Sequence, residues 1–205
     1  MSLADKVSEM MSRNSAVSLE EIDEVLKDPS LDEEIDGIID CVLQGLEYPN
    51  LNALNFVYHF PLKSFEEKLL SYKPEEMYND HASTWMLALG KMHSEKAFER
   101  IIPYTETRHS HQAFISLARI NPAKTAPIFE KYMDARQHLY EAKKSANDGF
   151  QTFFMMLEDY EGSPEEFVKD YDLSNNAKNK FVAGAIACLK KYKETGHARF
   201  YLSED

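Results

Sequence analysis

The chain has 205 residues, 43% of them hydrophobic and 12% aromatic, with seven glycines and a formal net charge of −12. That apolar content excludes a disordered chain, and so few glycines argue against a β-sandwich or barrel, whose tight turns draw on positive φ. A chain of this length buries roughly 70% of the surface it exposes when unfolded, so residues 1–205 are expected to form a single helical domain that needs no disulfide or metal to fold.

Residues 1–50 read as two or three helices that would close one end of the fold. Ser18 with Glu21 and Ser30 with Glu33 have the spacing of capping boxes, in which the serine takes an orphan amide and the glutamate reaches back. Pro29 and Gly45 read as stops. Between them Ile35, Ile38, Ile39, Val42, Leu43 and Leu46 form one apolar stripe at helical spacing. The charge imbalance lies here: residues 1–50 hold three basic residues (Lys6, Arg13, Lys27) against thirteen acidic ones, a net of −10, and the rest of the chain carries only −2. Asp32, Asp36 and Asp40 fall at i, i+4 and i+8, so they share one helix face, with Glu33 and Glu34 beside them. Asp32 and Glu33 gain from the positive end of the helix dipole, whereas Asp36 and Asp40 do not. Such a face has an ordinary reading, solubility, and a functional one, a docking surface for a basic partner.

From residue 51 the pattern repeats. Leu54–Phe60, Met86–Met92 and Phe114–Ile120 align at offsets of 32 and 28 residues. Leu54, Met86 and Phe114 share a column, as do Val57, Leu89 and Leu117, and Phe60, Met92 and Ile120. Each block leads through a short turn to a second helix. Lys68–Tyr72 and Arg100–Tyr104 match there, and Ile128–Tyr132 keeps the first apolar column and the tyrosine. Ser64 with Glu67 reads as a third capping box, Asn121-Pro122 as a capped helix start, and Pro61 as a stop. One such hairpin cannot bury its own apolar face, so neighbours must stack. Over residues 51–132 the pattern resembles HEAT-like α-solenoid repeats. That resemblance implies an all-α fold of stacked antiparallel helical hairpins, about nine to eleven helices in all, presenting an extended surface. Residues 133–205 read as further helices around Phe150–Leu157 and Phe181–Leu189, with a cap at Ser163-Pro164 and stops at Gly149, Gly162 and Gly196. Lys178, Lys180, Lys190, Lys191, Lys193 and Arg199 make the C-terminal end basic, an ordinary complement to helix dipoles.

Cys41 and Cys188 are isolated and lie in apolar helical contexts, so they read as small buried hydrophobes in a reducing, cytoplasmic compartment. No basic start followed by an apolar stretch marks a signal peptide, and no run approaches the ~20 apolar residues of a membrane span. There is no P-loop, GxGxxG or GxSxG. None of the seven histidines forms HExxH, and His109-Ser110-His111 points to different sides of a helix. The His-Glu dipeptides of iron-binding HEAT-like hydroxylases do not occur. Capping explains the adjacent carboxylates Glu75/Glu76, Glu165/Glu166 and Asp170/Asp172 better than acid–base work. The aromatic clusters Phe56/Tyr58/Phe60 and Phe150/Phe153/Phe154 read as core. A chain this acidic, with no basic aromatic-interleaved stripe, argues against nucleic acid.

The expected function is therefore non-catalytic protein binding, with no cofactor and no metal. The expected binding residues are Asp32, Glu33, Asp36 and Asp40, and the expected partner is a basic protein. Small acidic helical proteins of this size resemble the immunity-type inhibitors that neutralise toxins, a resemblance of class alone. Two other readings stand beside it: an enzyme whose carboxylates or histidines meet only in the fold, and a homo-oligomeric structural subunit.

Overall fold

The structure is a computed structural model and describes residues 1–141. Among those residues every regular element is helical, as expected. Nine α-helices run in order: α1 (Leu3–Ser12), α2 (Leu19–Leu26), α3 (Leu31–Gly45), α4 (Leu51–His59), α5 (Glu66–Leu70), α6 (Asn79–Lys91), α7 (Phe98–Ile101), α8 (Ser110–Ile120) and α9 (Pro122–Glu141). Four 3-10 turns, Lys63–Phe65, Pro74–Glu76, Glu95–Ala97 and Ile102–Glu106, fill the gaps. The expectations for Ser163-Pro164, Gly149, Gly162, Gly196, Cys188, the later helices and carboxylate pairs, and the basic C-terminal end lie outside the described residues. The chain divides into two compact units, Met1–Arg100 and a second beginning at Ile101.

In the first unit, local signals start the helices and burial sets their phase. The box at Ser18 forms: its hydroxyl accepts from the Glu21 amide, and the Ser18 amide donates back to the Glu21 carboxylate at 2.8 Å. An unforeseen second box, Ser2 with Asp5, opens α1. The boxes expected at Ser30 and Ser64 do not form. Ser30 gives both its amide and its hydroxyl to the Asp28 carboxylate, at 2.9 and 2.7 Å, a local turn that competes with capping. Ser64 lies inside the 3-10 turn Lys63–Phe65, which has no side-chain cap. There the fully buried Phe65 governs the backbone.

Helices α1 and α3 pack together, and α3 and α1 both pack on α4. Small residues allow the close approach: a Cβ on Gly37 would lie 3.3 Å from the Ala4 Cβ, and one on Gly45 would lie 3.2 Å from the Ala53 Cβ. Val7, Ile38, Val42 and Leu46 are fully buried from this side. Helix α6 packs on α4 and α5. The Trp85 indole N–H donates to the Leu69 carbonyl at 2.8 Å, and the Tyr72 hydroxyl donates to the Leu46 carbonyl. The Arg100 guanidinium lies against the Trp85 ring and closes the end of α5 by donating to the carbonyls of Leu70 and Tyr72.

In the second unit α8 packs on α9 and on the turn Ile102–Glu106. Phe114 sits edge-on to Phe129 and Tyr132, with ring centroids 5.3 and 4.7 Å away. Asn121 caps α9 as expected, accepting from the Lys124 amide at 3.1 Å.

The repeat register carries through to burial. Of the nine residues in the three first-helix columns, all but Phe60 are buried. In the second helices Leu69, Ile101 and Phe129 are each fully buried. The same offsets expose a column the pattern did not single out, Phe65, Ala97 and Thr125, again fully buried. The second helices differ from expectation in form. In the first two hairpins they are short, five and four residues in α5 and α7, and each is entered through a 3-10 turn. Pro103 explains the early end of α7, because it lacks the amide to continue the ladder and disfavours helical backbone at Ile102.

Candidate functional site

The acidic surplus of residues 1–50 is sorted by the fold into used and unused carboxylates. All three basic residues of this stretch are taken. Lys6 pairs with Glu24 at 2.9 Å, Lys27 with Asp23 at 2.8 Å, and Arg13 forks onto both Glu21 oxygens at 2.7 and 2.8 Å. The Arg13 guanidinium, with the Ser18 amide, holds the Glu21 carboxyl down to about 2. Glu47 pairs with Lys68 at 3.1 Å. Asp5 and Asp28 are held below their usual range by the backbone amides of Ser2 and Ser30. Glu34 turns inward and takes the Ala4 amide at 2.9 Å, so α3 closes the positive end of α1. The amides of Ala4 and Leu3 lower its carboxyl too.

Glu9, Glu20, Asp32, Glu33, Asp36 and Asp40 are left, and the last four share α3. All four are exposed on α3, and among the described residues their side chains make no hydrogen bond or ion pair. Glu34, expected beside them, is instead drawn to the Ala4 amide. Opposite them Ile38, Val42 and Leu46 are buried, while Ile35, Ile39 and Leu43 are half-buried.

The line Asp32–Asp36–Asp40 continues one turn on to the exposed Gln44. There a groove of about 310 Å³ opens between α1 and the end of α3. Ser8, Met11 and Ser12 line it from α1, Cys41 and Gln44 from α3, and Tyr48 from the loop that follows. Cys41 is half-buried rather than buried, a free thiol reaching the Ala4 carbonyl at 3.5 Å. Gly37 and Gly45, one turn to either side of it, draw α1 so close that the sulfur stays at the boundary between the helices. Tyr48 is 82% exposed.

Two asparagines place this end of the unit, and neither was singled out by pattern. Asn50 caps α4 through the amides of Asn52 and Ala53 and donates to the Met11 carbonyl at 2.9 Å. Asn52 accepts from the Val17 amide at 2.9 Å and donates to the carbonyls of Met10, Arg13 and Ser15. The residue type at Asn50, after Pro49 and before an apolar run, was the available signal. Nothing local marks Asn52.

Elsewhere the chemistry is sparse. Among the described residues no group of three or more His, Cys, Asp or Glu is placed to hold a metal. Glu76 pairs with Lys73 in its turn. Of the aromatic cluster, Phe56 is core. Tyr58 and Phe60 are half-buried, with the Lys91 ammonium 4.1 Å from the Tyr58 ring. No described helix is long and apolar enough to cross a membrane. Comparison with protein-family models, with curated proteins and with solved structures returns no match.

Proposed function

We propose that this chain is a non-catalytic protein-binding module that docks a basic partner on α3, an immunity-type inhibitor of a basic toxin being the concrete form. The observation that carries this reading is the selective pairing above. Every cation of the first 50 residues is taken by a carboxylate other than Asp32, Glu33, Asp36 or Asp40, which stay exposed and unpartnered on one face. Solubility alone would be served by a scattered surplus. A concentrated one sets up a local field that speeds encounter with a cationic surface.

We further read the hairpins of residues 51–132 as HEAT-like α-solenoid repeats. The burial of matched columns at offsets of 32 and 28 residues supports that reading. The two isolated cysteines favour a cytoplasmic setting.

The test is kinetic. A basic protein captured with this chain from lysate at low salt is purified, and its association rate is measured against wild type and the triple variant D32N/D36N/D40N. The variant is expected to associate about ten times more slowly at low salt, with the difference shrinking as ionic strength rises. An unchanged rate and an unchanged salt dependence would remove α3 as the docking face.

A further inference from the structure

We draw no further inference here: the strongest candidate, the groove between α1 and the end of α3 that opens beside the free thiol of Cys41 and the exposed Tyr48, carries nothing, because nothing in the structure shows what covers it.

Discussion

Asn52 is 4% exposed, and its side-chain amide is the hub for the chain between α1 and α2. Replacing it with alanine leaves the buried Val17 amide and Met10 carbonyl without their partner. Such losses cost the desolvation of the orphaned groups, about 1–3 kcal/mol. Asn52→Ala should therefore lower the unfolding free energy by about 2–3 kcal/mol in urea titration, with an unchanged m-value. A loss under 0.5 kcal/mol would show that the loop finds other donors. None of this was legible in the sequence, because the partners lie 35 to 42 residues away and only packing brings them together. His93 is a similar case. At φ 50° it occupies the left-handed position that glycine usually takes after a helix. The Ser94 amide bonds the Leu89 carbonyl and the His93 amide bonds the Gly90 carbonyl, ending α6 as a Schellman motif. With no glycine there, the sequence carried no sign of it.

At the scale of elements, α3 holds two requirements in tension. Its inner faces are built for close packing by Gly37, Ile38, Val42 and Gly45, and its outer face stacks like charges at i, i+4. Each such pair costs about 0.2–0.5 kcal/mol, and Asp36 belongs to two. Asp36→Asn should raise stability by about 0.4–1 kcal/mol at low ionic strength, and the gain should shrink in 1 M salt. The same change should slow association with a basic partner. Stability and binding moving in opposite directions would mark a face kept for function, whereas a loss of stability would show that Asp36 has a structural partner. The stripe and the shared acidic face were readable from spacing alone, since both follow from the 3.6-residue period. The failed boxes at Ser30 and Ser64 were not. A serine three residues before a glutamate is a local preference, and at these two positions Asp28 and the buried Phe65 outcompete it.

For the whole molecule, several carboxyls set the acid limit of stability. Glu21 is held down to about 2, and Asp5, Asp28, Glu34 and Glu66 are all lowered, Glu66 chiefly by the Lys63 ammonium. A carboxyl depressed by folding contributes stability that is complete above its unfolded value, 4.5 for Glu21, and that is lost as pH falls towards the folded one. His59 is lowered by burial and then by the Lys91 charge. The unfolded chain therefore takes up that proton first, and the contribution is present above about 6.5 and declines below it. The melting temperature should be highest above pH 6.5, fall gently to about pH 4.5 and then steeply towards pH 2, as followed by circular dichroism. His59→Gln should flatten the upper arm, and Glu21→Gln should shallow the lower one. A melting temperature that rises between pH 7 and pH 5 would contradict the His59 assignment.

Helical class, the register of the buried columns and the placing of the acidic surplus before residue 51 were determined by the sequence alone, because periodicity and charge are properties of neighbours along the chain. Tertiary structure alone decided which carboxylates are spent. Lys6 reaches Glu24, Arg13 reaches Glu21 and Glu34 reaches the start of α1, pairings across 18, 8 and 30 residues that exist only once α1, α2 and α3 have packed. It also decided the groove at Tyr48, since the space between two helices depends on how closely their small residues let them approach.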